Sequence, residues 1–178
     1  FVNFNDSSLL VATSEGLEVV NYLSGDVSHI HDLSDDEIPA NSRYTLSIIQ
    51  DRQEVIWSGS RGGGLTKVTL GVEGNWNIEN DPLGNGSVQF ILDEDSLLWL
   101  GSSGLGLLKY SKENGLLKSF PSAGDSLGPS HPYVYCLLRD SQDNFWLGTP
   151  TGGVNLFDEK TKSFLTLNGD HQDGLSGN

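Results

Sequence analysis

The chain has 178 residues and a formal net charge of −14, with 10 Lys and Arg residues against 24 Asp and Glu residues. Recognition of nucleic acid or of an anionic membrane surface needs clustered positive charge, so we expect neither partner. The sequence contains no methionine and begins with Phe1, so we expect either a processed product or an excised piece of a longer protein.

The first predicted unit, residues 1–36, consists of short apolar runs separated by Asp, Ser and Gly. Runs of this kind are typical of β-strands. Leu10 takes the position that tryptophan holds in the later units. His29 and His31 are two residues apart on the predicted fourth strand, so both would point to one side. Because no third ligand lies nearby in the sequence, we expect no metal there.

The second predicted unit, residues 37–82, contains the pattern D-x-x-x-x-x-W-x-G from Asp51 to Gly59. An apolar run precedes the Asp, and two more follow the Trp. The Asp is expected to form the turn by bonding its own backbone. The glycines at 62–64 then allow a tight hairpin between the second and third strands.

The pattern returns in the third unit, residues 83–126, and in the fourth, residues 127–173. Its tryptophans, Trp57, Trp99 and Trp146, are separated by 42 and 47 residues. We predict that these tryptophans fill the core between units, and that the lone cysteine, Cys136, is a buried and unreactive thiol. Residues 174–178 resemble the start of a further unit.

Self-similarity at this period indicates stacked copies of one supersecondary unit. Four antiparallel strands in each unit of about 44 residues are typical of a β-propeller blade. The sequence therefore predicts an all-β fold, a single β-propeller fragment of about four blades with four antiparallel strands each. A tandem β-sandwich is the alternative, but it gives no reason for one Trp in every four strands.

The tetrapeptides at 57–60, 99–102 and 146–149 read W-S-G-S, W-L-G-S and W-L-G-T, and each is followed by glycines and an apolar residue. They resemble the two-component regulator propeller repeat, most clearly over residues 44–164. The first unit departs from the pattern because it has neither the Asp nor the Trp. The resemblance implies a propeller from the extracytoplasmic sensor region of a membrane-anchored bacterial signalling protein, which carries a histidine kinase or a diguanylate cyclase inside the cell.

In propellers the connections between successive blades lie on one face, around the central channel, and such loops often carry binding residues. Here they hold aromatic and hydrogen-bonding side chains suited to a carbohydrate or another small polar ligand. The candidates are Asn41, Arg43, Tyr44, Asn85, Ser130, His131 and Tyr133.

No catalytic grouping, metal-ligand set or phosphate loop is legible in the sequence. The Asp-rich turns lack the spacing of calcium loops, and the glycines recur in every unit for hairpin geometry. We therefore expect a non-catalytic, ligand-sensing segment, without metal or cofactor, located in the periplasm. Two alternatives stay open: a propeller-based polysaccharide lyase or hydrolase, and a scaffold for protein contacts. Because four blades are few for closure, we also expect an open arc that self-associates.

Overall fold

The computed structural model describes residues 1–30, 44–72, 75–122, 124 and 126–168. These residues form four antiparallel sheets of four strands each, with one turn of 3-10 helix at Leu83–Asn85. The predicted all-β propeller fragment of four-stranded blades is confirmed. By chain contacts the protein divides into two compact units, Phe1–Asp93 and Glu94–Asn178.

The first two sheets are formed by β1 (Val2–Asn5), β2 (Ser8–Thr13), β3 (Gly16–Asn21) and β4 (Val27–His29), and by β5 (Thr45–Gln50), β6 (Ile56–Ser60), β7 (Gly64–Leu70) and β8 (Trp76–Asp81). The last two are formed by β9 (Ser87–Glu94), β10 (Leu97–Ser103), β11 (Leu107–Ser111) and β12 (Gly115–Phe120), and by β13 (Cys136–Arg139), β14 (Phe145–Gly148), β15 (Val154–Asp158) and β16 (Ser163–Leu167). In every sheet the strands are hydrogen-bonded in chain order, as in a meander.

The Asp of the repeat both forms the turn and holds the tryptophan. Asp51 accepts hydrogen bonds from the backbone N–H groups of Gln53 and Val55, and its other oxygen accepts from the Trp57 indole at 2.9 Å. Asp140 repeats this arrangement and accepts from the Trp146 indole at 2.8 Å. The predicted turn role is confirmed for both residues. The six-residue spacing has a second cause, because it places a carboxylate within reach of the indole N–H.

The third sheet keeps the indole hydrogen bond but changes the acceptor. Trp99 donates to Glu94 Oε2 at 3.0 Å rather than to the Asp of the pattern. Here β9 runs on to Glu94, and Asp95 adopts a left-handed φ of 52° in the turn that follows. Because β9 is longer, the carboxylate of Glu94, the residue after the Asp of the pattern, lies within reach of the Trp99 indole.

The hairpin glycines are needed for conformation and for space. Gly64 has a φ of +77°, and a Cβ there would lie 2.1 Å from the carbonyl oxygen of Asp81. An L-residue would be strained in this conformation and would also collide with the neighbouring strand. The predicted glycine hairpin is confirmed at this position.

In the unit Phe1–Asp93, aliphatic side chains pack between the first two sheets. Leu10 and Leu17 of the first sheet contact Ile56 and Val68 of the second, and all four are at most 2% exposed. Leu10 therefore fills the core at the position that tryptophan holds in the later sheets. This explains how a first unit without the Asp or the Trp still forms a four-stranded sheet.

In the unit Glu94–Asn178, aromatic rings pack between the third and fourth sheets. Trp99 lies 5.1 Å from Phe145 and 5.7 Å from Phe157, measured between ring centroids. Phe120 contacts Phe157 at 5.0 Å, and Phe157 stacks on Phe164 at 4.5 Å. Trp57 and Trp99 are buried as predicted, whereas Trp146 is only partly buried.

The prediction that Cys136 is buried is wrong, because its side chain is exposed. In β13 the side chains alternate between two faces, and Leu137 takes the face that is packed against the third sheet. Cys136 and Leu138 point the other way. The apolar neighbours suggested burial, but no described sheet covers that second face.

Candidate functional site

The candidate binding residues proposed from the sequence fall into three groups in the structure. Asn41 and Arg43 lie outside the described residues. Tyr44 precedes β5 and is 47% exposed, while Asn85 ends the 3-10 turn before β9. Ser130, His131 and Tyr133 lie together in the segment before β13.

An exposed row of aromatic rings runs along the segment that leads into β13, and we call it the aromatic row. It consists of His131, Tyr133 and Tyr135. The rings of His131 and Tyr133 meet edge to face at 5.1 Å, and those of Tyr133 and Tyr135 are nearly parallel at 6.3 Å. The two tyrosines are 41% and 47% exposed. The row therefore offers flat apolar surface and polar ring edges to solvent in one place.

The sequence predicts His131 and Tyr133 as contacts but not Tyr135, which lies in the apolar run before Asp140. The signal was the spacing Y-x-Y, because residues two apart on an extended chain share a face. Tyr133 and Tyr44 also hold the same position in their repeats, thirteen residues before Trp146 and Trp57.

Backbone hydrogen bonds fix the aromatic row against the third sheet. The carbonyl oxygen of Pro132 accepts from the N–H groups of Gly104 and Gly106 at 3.0 and 3.1 Å. The N–H of Val134 donates to Ser102 O at 2.9 Å, and Tyr133 forms an isolated bridge with Ser103. The Tyr133 N–H also donates to His131 Nδ1 at 3.0 Å, which orients the imidazole. Because the segment is anchored at several points, its rings are presented in a preformed arrangement.

Ser130 belongs to an internal hydrogen-bond network centred on Asn155, whose side chain is fully buried. The Ser130 N–H donates to Asn155 Oδ1, and Asn155 Nδ2 donates to Ser130 Oγ, both at 2.9 Å. The Ser130 hydroxyl in turn donates to the carbonyl of Gly152 at 2.8 Å. Buried polar groups need such partners. Ser130 thus ties the start of the aromatic row to the fourth sheet, and its contacts are those of a positioning residue.

A second polar cluster joins the third and fourth sheets, and we call it the ionic cluster. Arg139 contacts Glu94 through its Nε and Nη2 atoms and Glu159 through Nη2, the last at 3.0 Å. Lys109 bonds Glu159 at 3.1 Å and lies 4.9 Å above the ring of Trp99. The hydrogen bond to Glu94 raises the pKa of Arg139 further above its ordinary value. Bonding to Lys109 and Arg139 outweighs partial burial and lowers the pKa of Glu159. This cluster fastens two blades and leaves little capacity for a ligand.

Two grooves lie apart from the aromatic row. One, of about 620 Å³, is open to solvent beside the ionic cluster and is lined by Arg139, Asn144, Lys160 and their neighbours. Its carboxylates are already bonded: Asp143 to Arg139, and Asp158 to the N–H of Lys160. The other, of about 250 Å³, is largely apolar and lies between β5 and β9. Neither contains a set of convergent reactive side chains.

Within the described ranges no three His, Cys, Asp or Glu side chains are grouped so that they could hold a metal ion. His29 lies on β4 with Nδ1 3.5 Å from Glu18, while His31 is outside those ranges.

Residues 128–151 match the family model described as Two component regulator propeller. Residues 128–151 are thus similar to the two-component regulator propeller repeat. The match begins just before the aromatic row, runs through the Trp-x-Gly of the fourth unit and ends one residue before Gly152. The resemblance predicted from the tryptophan pattern is therefore confirmed. No curated protein is similar enough in sequence to match the chain.

Several solved structures share the fold. The extracellular domain of a protein described as a one-component system, BT4673 from B. thetaiotaomicron, is 19% identical with a TM-score of 0.74, and the match covers 97% of this chain and 23% of that one. For the extracellular domain of BT3049, described as a hybrid two-component system of the same organism, the values are 21%, 0.69, 89% and 22%. Virginiamycin B lyase from Staphylococcus aureus is 9% identical with a TM-score of 0.63, over 93% of this chain and 54% of that one.

The chain thus spans less than a quarter of the two extracellular domains that it resembles. The likeness to the lyase concerns the fold, which enzymes and sensors share. Among the described residues, no helix has the length and apolar character needed to cross a membrane.

Proposed function

We propose that this chain is a non-catalytic, ligand-sensing propeller segment of the extracytoplasmic, periplasmic part of a membrane-anchored bacterial signalling protein. The parent would carry a histidine kinase or a diguanylate cyclase on the cytoplasmic side. The support comes from the repeat and from the extracellular signalling domains with the same fold. Binding would act by favouring one of two states of the parent that differ in affinity for the ligand.

The aromatic row carries the ligand proposal. Tyr133 and Tyr135 are exposed, nearly parallel and fixed by backbone hydrogen bonds, so little ordering is needed on binding. Rings with an apolar face and a polar edge suit a carbohydrate, which has C–H faces and hydroxyl edges. We therefore propose a carbohydrate, or a ligand of similar polarity, with His131, Tyr133 and Tyr135 in contact with it. Asn41, Arg43, Tyr44 and Asn85 stay candidate contacts from the other connections, and Ser130 positions the row.

The test is calorimetric titration of the chain with a panel of neutral and acidic oligosaccharides. We expect Tyr133→Ala to weaken binding about tenfold or more, which is the scale for an anchoring aromatic residue. Tyr22→Ala is the matched control, since Tyr22 is 53% exposed in the turn that follows β3, away from the aromatic row in the sequence. If no oligosaccharide binds, or if the two variants bind equally well, the aromatic row is not the ligand site.

Catalysis is tested in the same samples. A sensor segment should release no product from any glycan of the panel after long incubation. Turnover that disappears in both His131→Ala and Tyr133→Ala would instead favour the polysaccharide lyase or hydrolase and would overturn the non-catalytic proposal.

A further inference from the structure

The imidazole of His131 accepts a hydrogen bond from the backbone of the aromatic row. The Tyr133 N–H donates to His131 Nδ1 at 3.0 Å, and the two rings meet edge to face at 5.1 Å between centroids. A ring nitrogen accepts only when it carries no proton, so this contact requires the neutral imidazole with its proton on Nε2. If the ring were turned over, its Cδ2–H group would face the N–H of Tyr133. The bond therefore fixes both the charge and the tautomer of His131.

The parts of the chain that bond to the aromatic row contain no permanently charged side chain. They are the β10–β11 hairpin, the segment of the row itself and the β14–β15 hairpin, residues 97–108, 126–138 and 145–157. These ranges contain no Asp, Glu, Lys or Arg, and their titratable side chains are His131, Tyr133, Tyr135 and Cys136. Histidine is the residue type that ordinarily changes charge between about pH 5 and 8. Within these ranges, His131 is thus the residue that brings a charge to the row in that interval.

Protonation of Nδ1 would replace the acceptor by a donor. Two N–H groups would then point at each other, and the hydrogen bond between Tyr133 and His131 would be lost. The three ranges have no Asp or Glu that could hold the imidazolium in place by an ion pair. Because His131 is only partly buried, its charged ring can turn towards water, and the edge-to-face contact with Tyr133 is then lost as well.

The loss would affect the ring of Tyr133 more than the backbone around it. On either side, the carbonyl of Pro132 and the N–H of Val134 bond the third sheet, and neither bond involves His131. The Tyr133 N–H, in contrast, has His131 Nδ1 as its acceptor. Protonation should therefore leave the segment folded and release the middle ring of the row, which stacks on Tyr135.

We propose that protonation of His131 releases the ring of Tyr133 and weakens ligand binding at the aromatic row. Besides its contact with the ligand, neutral His131 is then a positioning residue for Tyr133. The inference rests on the proposed function for its ligand and adds the regulation of that site. A site outside the cytoplasmic membrane is exposed to the pH of its surroundings, so the segment binds its ligand most tightly where these are near neutral.

The first experiment follows the ligand-free, isotope-labelled chain by NMR from about pH 8 to about pH 5.5, above the ordinary carboxyl pKa of about 4. At the higher pH, the nitrogen shift of His131 Nδ1 should be that of a ring nitrogen without a proton. The Tyr133 amide shift should then follow the titration of His131. The Val134 amide is the internal control, since its bond to Ser102 should persist. A proton on Nδ1 at about pH 8, or a Tyr133 amide that does not follow His131, would overturn the inference.

The second experiment measures the Kd at the same two pH values by calorimetry. The probe is the oligosaccharide of the panel that binds most tightly, because neither a neutral sugar nor a uronate changes its charge in this range. The Kd should rise about two- to tenfold at the lower pH, the factor that corresponds to one hydrogen bond. An equal Kd at both pH values would overturn this inference and leave the proposed function standing. No binding at either pH would overturn the proposed function, and this inference with it.

Two variants identify the titrating group. His131→Asn is the conservative replacement, because an asparagine oxygen can accept from the N–H two residues on and does not titrate. Its Kd should be the same at both pH values. His29→Asn is the matched control, since His29 lies on β4 beside Glu18 and its loss should leave the pH dependence unchanged. A pH dependence that persists in His131→Asn, with the fold verified by circular dichroism, would assign the effect to another group and sink the inference.

Discussion

Replacement of Gly101 by alanine should destabilise the protein because the glycine makes room for the next blade. Gly101 is the glycine of the Trp-x-Gly pattern on β10. A Cβ at this position would lie 2.7 Å from the carbonyl oxygen of Val134 and 3.2 Å from its Cγ1 atom. Ordinary contacts of a Cβ are 3.4 to 4 Å, so the backbone at Val134 would have to move. The hydrogen bond from the Val134 N–H to Ser102 O fixes that backbone, which lies between Tyr133 and Tyr135 of the aromatic row.

The cost of such overpacking is about 1–3 kcal/mol of the free energy of unfolding. In a chain of this size each kcal/mol lowers the Tm by about 2–4 °C. The measurement is urea unfolding followed by tryptophan fluorescence, in which the midpoint should fall while the m-value is unchanged. Gly59→Ala should behave alike, because its Cβ would lie 2.6 Å from the carbonyl oxygen of Val88.

Gly148→Ala is the control that the repeat itself supplies. It has the same place in its pattern, but a Cβ there would meet only the Cys136 thiol, at 2.3 Å. That side chain can rotate, and the loss of glycine entropy in the unfolded chain stabilises by about 0.4–1 kcal/mol, so we expect a change near zero. The double variant with Cys136→Ala removes even the thiol contact. If Gly101→Ala and Gly148→Ala were equally mild, close approach of the next blade would not be the reason for this glycine.

Three further outcomes follow from the cores and clusters. The indole of Trp146 lowers the pKa of Asp140 to about 2, so its carboxylate stabilises the fold above the ordinary carboxyl pKa, and that contribution is lost as the pH falls towards 2. In the Asp140→Asn variant, the free energy of unfolding should therefore fall less steeply as the pH is lowered towards 2. Arg139→Met should leave Glu94 without its guanidinium and cost about 1–3 kcal/mol in urea unfolding; an unchanged midpoint would contradict the clamping role. Phe157→Ala should cost about 3–5 kcal/mol, since the ring is 3% exposed; a loss below 1 kcal/mol would show that the aromatic core rearranges.

The part of the site that the sequence could predict is local. The sequence makes His131 and Tyr133 candidates because connections between blades lie at one end of the strands, and this follows from the repeat. Tyr135 was missed because a tyrosine in an apolar run reads as core. Ser130 was proposed for a ligand, but it bonds Asn155, twenty-five residues later in the chain, and no local pattern predicts such a contact.

The predictions of side-chain burial that were wrong share one physical reason. A strand has two faces, and the sequence shows which residues share a face but not whether a neighbour covers it. Cys136 and Leu138 have the apolar surroundings of a core strand, yet both are exposed. Trp146 likewise repeats the carboxylate bond of Trp57 but is less buried, because the covering sheet that the pattern implies is not among those described.

The sequence by itself determined the four-stranded unit, its repetition and its turns, since these depend on residues within a few positions of each other. The Asp, the Trp and the glycines act inside one blade, so their spacing suffices to predict it. Tertiary structure decided what depends on two blades together: the ring cluster around Phe157, the ions around Arg139 and the space kept open by Gly101. It also decided which apolar face stays uncovered, because coverage is a property of the neighbouring sheet and not of the strand that is read.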